Sequence, residues 1–179
     1  MDETSKNIHY YNGWKTNKSW FINKKVIILL DGFNRWFDRR FQCSSYDIIN
    51  KITDFEKVFN YVDDGETDHI NLKHALESAE RRGQTRKINT KYFTLTFYKK
   101  GTCHIEFTNL ELLKKFNIFG SQRKGWLPPS YGKASYQDMS QEEKAVIDSF
   151  EGQKEYEKVM LKKDYYICND TMNLLLLAS

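Results

Sequence analysis

The stretch from residue 91 to residue 107, KYFTLTFYKKGTCHIEF, constrains the fold more than any other part of the chain. Phe93, Leu95 and Phe97 alternate with polar residues, which is typical of a strand with one apolar face and one polar face. Lys100-Gly101 supplies a reversal, and a second strand follows it. Because an isolated hairpin is only marginally stable, we expect a larger antiparallel sheet to form around this one.

Helical periodicity precedes this hairpin. From about Tyr46 to Val62, apolar residues recur at spacings of three and four, with Ser45 as the expected N-cap. The predicted buried face consists of Ile48, Ile49, Ile52, Phe55, Val58, Phe59 and Val62. The segment DDGETDH ends this helix, and a second one is expected from Leu72 to Arg82 with Gly83 as a left-handed C-cap.

Further helices are predicted after the hairpin. Asn109 is expected to cap the helix LELLKKFNIF, which Gly120 would close. The sequence SQEE at 140–143 is a capping box, and helices are expected from about Gln141 to Lys162 with a break at Gly152. The tail YYICNDTMNLLLLA is compatible with a strand or a short helix.

The segment NIHYYNGWKTNKSWFINKKVIILL, residues 7–30, predicts a second hairpin near the N-terminus. Residues 31–45 are too irregular for an assignment, and no internal repeat or flexible linker is present. We therefore predict one α+β domain over residues 1–179. Its antiparallel sheet is built from an N-terminal hairpin and a central hairpin, packed with about four to five helices.

Composition excludes several classes of protein. Apolar residues make up 40% of the 179, too many for a disordered chain, and no run approaches the roughly 20 apolar residues that span a bilayer. The N-terminus lacks the apolar core of a signal peptide, and three cysteines are too few for a disulfide framework. We expect a cytoplasmic protein of a reducing compartment, with no membrane contact.

Charge is segregated along the chain although the net charge is only +4. Seven cations and no acid lie between Arg81 and Ile105, and five lysines and no acid between Ser5 and Leu30. Residues 47–80 hold nine acids against three lysines. This pattern indicates a molecule with a basic side and an acidic side, unless the charges cluster by chance on solvated faces.

No complete catalytic motif is present. Leu127-Pro128-Pro129-Ser130 resembles the amine-binding tetrapeptide of DNA methyltransferases, but leucine cannot accept the hydrogen bond and serine cannot stack on a base. The His-x-Glu of His104 and Glu106 lacks the Pro-Cys-x-x-Cys of zinc deaminases, so a histidine packed against a cross-strand neighbour is the better interpretation. We predict a protein without enzymatic activity, cofactor or metal.

Binding is the remaining class of function. Residues 118–136, IFGSQRKGWLPPSYGKASY, form a stiff, basic and aromatic stretch, here called the basic loop. It either contacts a partner or is only pinned to the core by Trp126 and Tyr131. The candidate binding residues are Arg81, Arg82, Arg86, Lys87, Lys91, Lys99, Lys100, Arg123, Lys124, Trp126 and Lys133.

Three segments carry a resemblance to a known family: DETSKNIHYYNGWKTNKSW, YFTLTFYKKGTCHIEFTNLELLKKFNIFGSQRKGWLPPSYGKASY and EEKAVIDSFEG. They are similar to the C-terminal accessory domain, of unknown function, of class I SAM-dependent adenine-type DNA methyltransferases carried by phages and mobile elements. The methylase domain itself has no counterpart here, so the resemblance transfers no catalytic residue.

The resemblance implies a non-enzymatic module that binds double-stranded DNA in a bacterial host cell. A free-standing copy on a mobile element is expected to inhibit a defence nuclease, as small anti-CRISPR proteins do, by docking on a Cas9-type effector or its guide-RNA complex. The alternative is a detached DNA-recognition domain with no inhibitor role. A metal-dependent nuclease or deaminase is a third, weaker alternative.

Overall fold

The computed structural model describes residues 21–34, 38–65 and 72–167. Within these ranges the protein is a mixed α+β structure, which confirms the predicted fold class. The strands are β1 (Lys25–Leu29), β2 (Ile88–Asn89), β3 (Phe93–Tyr98) and β4 (Thr102–Phe107). The helices are α1 (Tyr46–Asp64), α2 (Leu72–Arg81), α3 (Leu110–Arg123), α4 (Gln141–Phe150), α5 (Gln153–Leu161) and α6 (Lys163–Tyr166).

The four strands form one antiparallel sheet in the order β1-β4-β3-β2. The predicted central hairpin is β3–β4, which turns at Gly101 with a positive φ of 87°. Strand β1 is the second strand of the predicted N-terminal hairpin, and it pairs with β4. The first strand of that hairpin falls within residues 1–20, outside the described residues. The two-residue strand β2 was not predicted.

Alternation along the strands gives the sheet two different faces. Phe93, Leu95 and Phe97 of β3 are almost completely buried, and the ring of Phe107 on β4 stacks against Phe59 of α1 at 4.9 Å between centroids. Burying such side chains contributes about 1.5–3 kcal/mol each. The opposite face, here called the polar face, carries Lys25, Ile27, Leu29, Asn89, Thr94, Thr96, Tyr98, Thr102, His104 and Glu106.

Helix α1 is buried on a face rotated from the predicted one. Of the predicted set, the fully buried members are Ile48, Ile52, Phe59 and Val62. Val58 is 41% exposed, which contradicts the prediction, whereas the polar Asn60 is buried. The Asn60 side chain accepts hydrogen bonds from Tyr92 Oη at 2.6 Å and Lys91 Nζ at 2.9 Å, which offset its desolvation. Ser45 occupies the N-cap position, but its hydroxyl makes no capping bond.

The ends of α2 and α3 use the same left-handed cap. After α2, the predicted cap Gly83 has a φ of 63°, and the following amide donates to the Ala79 carbonyl at 2.9 Å. The prediction that Gly120 closes α3 is wrong, since the helix continues to Arg123 and Gly125 takes the left-handed position with a φ of 66°. A glycine inside a helix costs only about 1 kcal/mol, so it does not by itself end one.

The C-terminal helices begin and break where the sequence predicts. Ser140 accepts from the Glu143 amide, and the Glu143 carboxylate accepts from the Ser140 amide, which completes the capping box of α4. Gly152 separates α4 from α5 with a φ of 82°. The start of the tail belongs to α6, and its remainder, residues 168–179, falls outside the described residues.

The chain divides into two compact units, residues 1–113 and residues 114–179. The first unit contains the sheet with α1 and α2, and the second contains α4, α5 and α6. The division falls inside α3. The single domain expected from the sequence stays a prediction. None of the described helices combines the length and apolar character required to cross a bilayer.

Candidate nucleic-acid interface

An open groove of about 710 Å³ lies over the polar face of the sheet. Four cations line it: Lys24 and Lys25 from the start of β1, and Arg86 and Lys87 from the residues just before β2. Because β1 and β2 are the outermost of the four described strands, the backbones that carry these cations lie about 14 Å apart at a strand spacing of about 4.8 Å, and the cations form two rims. We call this feature the basic groove.

The floor of the basic groove is polar and aromatic. It is lined by Asn89, Thr94, Thr96, Tyr98, His104, Glu106, Phe107 and Thr108, although the Phe107 ring itself packs on the opposite, buried face of the sheet. Among the lining residues that the structure describes, Glu106 is the one acid, and it pairs with Lys24 Nζ at 3.3 Å. Both partners are largely exposed, so this ion pair contributes only about 0–1 kcal/mol and leaves the groove strongly positive.

The backbone of the rim formed by Arg86 and Lys87 is held in place by hydrogen bonds with the side chains of Gln84 and Thr96. Lys87 has a positive φ of 49°, which is unusual for a residue other than glycine. Its amide donates to Thr96 Oγ1 at 3.3 Å, and Gln84 Nε2 donates to the carbonyls of Arg86 and Lys87 at 3.1 Å each. The strained conformation is thus fixed by its surroundings before any ligand binds.

Tyr98 and His104 form an aromatic pair on the floor. Their ring centroids are 4.3 Å apart, with the ring planes inclined at 43°. The Arg86 guanidinium carbon lies 6.0 Å from the Tyr98 centroid, and Lys100 Nζ lies 5.9 Å from it. Cations at this distance are attracted to the ring face, so Tyr98 is enclosed by positive charge.

His104 has buried ring nitrogens without hydrogen bonds. Neither Nδ1 nor Nε2 finds a partner among the described residues, and the same holds for Thr102 Oγ1 on the same face of β4. Burial, followed by the charges of Lys25 and Lys100, lowers the pKa of His104, so that the neutral ring is favoured at neutral pH. The predicted cross-strand packing is confirmed, because His104 pairs with Thr96.

The predicted site residues of the first unit lie in several places. Arg86 and Lys87 line the basic groove, and Lys100 lies beside Tyr98. Lys91 instead bonds Asn60 and lies 3.6 Å from an Asp64 oxygen.

Three other predicted cations of this unit do not line the groove. Arg81 and Arg82 are exposed where α2 ends. Lys99 is exposed beside the β3–β4 turn, and its carbonyl accepts a hydrogen bond from Arg39.

Several groove residues were missed as site residues, namely Lys24, Lys25, Tyr98 and His104. The signal that could have revealed them is the alternation of the central hairpin, whose polar positions include Tyr98 and His104. The lysine pair directly before VIILL could also have been assigned to an edge strand, where lysines are common.

The remaining predicted residues belong to the second unit and do not line the basic groove. Arg123, Lys124 and Lys133 are exposed, and the Arg123 guanidinium lies 5.3 Å from the Phe119 ring centroid. Trp126 is half-buried, and its amide donates to the Ser121 carbonyl at the end of α3.

Tyr131 anchors the basic loop in the core of the second unit. It is completely buried, and its hydroxyl donates to Glu151. Its ring packs edge-on against Tyr156 at 5.0 Å, and Tyr156 Oη donates to the Ala134 carbonyl at 2.6 Å. Burial raises the pKa of Tyr131 far above its ordinary value, so the phenol stays neutral. The sequence-based alternative that the loop is pinned to the core is confirmed at Tyr131.

The cysteines offer no reactive thiol in the described ranges. Cys43 and Cys103 are both buried and free, and burial raises the pKa of each to about 12. A thiol with such a pKa is not an effective nucleophile near neutral pH. The described residues contain no group of three metal-binding side chains.

Comparison with known proteins places the chain in a family. The model of a domain of unknown function, DUF4942, matches residues 3–126. The match includes the four described strands and the described residues that line the basic groove, and it stops before Leu127 in the basic loop. No curated protein and no solved structure matches the chain. Because the matched residues make up more than half of the sequence, the chain belongs to the DUF4942 family.

Proposed function

We propose that this protein binds DNA through its phosphates, in the basic groove of the first unit. The observation that carries the proposal is the placement of four cations on two opposite rims, with Glu106 as the one carboxylate among the described lining residues. Such a concentration of one charge attracts a polyanion, and each phosphate that a lysine or arginine neutralises releases a counterion from the DNA.

The chemistry of the rims suits phosphate binding. Arg86 and Lys87 lie on a backbone segment that is fixed by hydrogen bonds. Binding therefore costs little conformational entropy of this segment. The exposed Lys24–Glu106 pair is weak, and Lys24 can exchange its carboxylate partner for a phosphate at little cost. No step of chemistry is needed, in keeping with a module that is not an enzyme.

The proposed DNA contact serves either of the roles expected from the resemblance. An inhibitor of a Cas9-type nuclease would occupy the DNA path or dock beside it in the host cytoplasm. A detached accessory domain of a DNA methyltransferase would hold the DNA for another protein. A cleavage assay with the nuclease distinguishes these two uses, because only the inhibitor slows cleavage.

Fluorescence anisotropy with a labelled duplex and its labelled single strand tests the proposal over a series of salt concentrations. The double variant Lys25→Ala/Lys87→Ala removes one cation from each rim. We expect weaker binding and a flatter salt dependence, by about 0.7–0.9 in the logarithmic slope for each phosphate that the variant no longer neutralises. Lys154→Ala/Lys163→Ala removes two exposed charges from the second unit and is the matched control.

Two results would contradict the proposal. One is the absence of binding to either form of DNA at low salt. The other is an equal loss of affinity in the groove variant and in its control, which would mean that net charge and not the groove governs binding.

A further inference from the structure

The width of the basic groove limits which form of DNA can use its floor. The major groove of a duplex is about 12 Å wide and admits a helix or a two-stranded ribbon. Within the described residues the polar face is four strands wide, about 14 Å between the backbones of its outermost strands at a spacing of about 4.8 Å. The sheet is therefore too wide to enter the duplex with its face toward the base edges. A duplex lying across the rims would leave the floor unused.

The floor carries the groups that recognise unpaired bases. Tyr98 offers an aromatic ring that is partly exposed and enclosed by the charges of Arg86 and Lys100. The His104 ring lies next to it, at 4.3 Å between centroids, and because both ring nitrogens of His104 are buried, this residue supports the Tyr98 ring rather than offering polar atoms to a base. Stacking of unpaired bases on aromatic rings is a principal contact by which proteins hold single strands.

We propose that the basic groove binds single-stranded DNA, with phosphates against the cations of the rims and a base stacked on Tyr98. This inference rests on the proposed function and names the form of DNA that the groove takes. The sequence had led us to expect double-stranded DNA as the ligand instead. Because every base has a stacking face, binding of this kind tolerates many sequences.

Binding of one labelled single strand and of its duplex to the full chain tests the inference. We expect the wild type to bind the single strand more tightly. Tyr98→Ala should weaken single-strand binding by about 5-fold to 150-fold, since stacking on an aromatic side chain contributes about 1–3 kcal/mol per base. Duplex binding should change little. Tyr98→Phe keeps the ring and should bind like the wild type.

Two controls separate stacking from misfolding and from charge. Tyr98→Leu keeps apolar volume, so its affinity should match that of Tyr98→Ala if the ring itself is required, and circular dichroism verifies its fold. The Tyr98 variants should leave the salt slope of binding unchanged, because they remove no cation.

The possible failures of the two proposals are distinct. Duplex binding that is as tight as single-strand binding, with equal losses in Tyr98→Ala, overturns this inference and leaves phosphate binding intact. If the protein binds neither form of DNA, or if its affinity is unchanged when Lys25 and Lys87 are replaced, both this inference and the proposed function are overturned.

Discussion

Lys87 holds a backbone conformation that its side chain disfavours. A left-handed residue with a Cβ costs about 1–2 kcal/mol compared with the ordinary helical region. Here the φ of 49° is maintained by the hydrogen bonds from Lys87 to Thr96 and from Gln84 to the Lys87 carbonyl. Strain of this kind concentrates at functional sites, and Lys87 is also a rim cation of the basic groove.

Replacing Lys87 with asparagine should therefore separate stability from binding. Asparagine adopts the left-handed region more readily than other residues and keeps the backbone amide, so Lys87→Asn should melt at the same temperature as the wild type or slightly higher. DNA affinity should fall because a cation is removed. Lys87→Ala keeps the strain and loses the same charge. It should bind as weakly as Lys87→Asn and melt lower, and wild-type affinity in either variant would contradict the role of Lys87.

At the scale of elements, local signals predicted the hairpin and most helix ends. Alternation defined β3 and β4, and the capping box defined the start of α4, because both patterns involve neighbours in the sequence. The end of α3 was predicted at Gly120, because the sequence does not show which glycine adopts a positive φ. In the structure that glycine is Gly125. On α1, the apolar Val58 is exposed and the polar Asn60 is buried, and the bond that Asn60 accepts from Tyr92, 32 residues away, is not visible in local periodicity.

The basic groove could not be predicted from local patterns. Its two rims lie about sixty residues apart in the sequence, at Lys25 and Lys87, and only the strand order β1-β4-β3-β2 makes them opposite edges of one face. The distribution of cations along the chain identified basic segments but not which of them line a common surface. Lys91, for example, belongs to the same basic run as Lys87 and bonds Asn60 instead.

The basic loop illustrates how one element combines packing and charge. Its anchor is Tyr131, and Tyr131→Ala should lower the free energy of unfolding by about 3–5 kcal/mol, as for other buried aromatic side chains.

The charges of the basic loop should matter little for stability. Arg123→Ala/Lys124→Ala should leave the free energy of unfolding within about 0.5 kcal/mol of the wild type, because both side chains are exposed. Urea unfolding measures both. A destabilised charge variant, or a tolerant Tyr131→Ala, would contradict this division of roles.

At the scale of the whole molecule, we expect protonation of His104 to affect both the stability of the fold and the proposed DNA binding. Burial and the charges of Lys25 and Lys100 lower its pKa in the folded protein. As the pH falls through about 6.5, the ordinary value, the unfolded chain takes up the proton before the folded protein does. The free energy of unfolding should therefore be highest above this pH and should decrease below it, until the folded protein is protonated as well.

Bound DNA should raise the pKa of His104, which is opposite to the effect of burial and of the two lysines. A phosphate near His104 offsets the charges of Lys25 and Lys100 and raises the pKa of the ring, so binding takes up a proton and strengthens as the pH falls. The other groups on the polar face around His104 are Tyr98, Thr96 and Glu106, and the carboxylate of Glu106 is itself paired with Lys24.

We therefore expect two opposite pH dependences in one protein. From neutral pH toward pH about 5, below the ordinary histidine pKa of about 6.5, the wild type should lose more unfolding free energy than His104→Gln, and its affinity for single-stranded DNA should rise more steeply. Urea unfolding and anisotropy at the same series of pH values measure the two trends, with His74→Gln on α2 as the matched loss of an exposed histidine. Parallel stability curves for the wild type and His104→Gln would show that folding does not lower the pKa of His104. Parallel affinity curves would instead place the bound phosphates away from His104, on the rims alone.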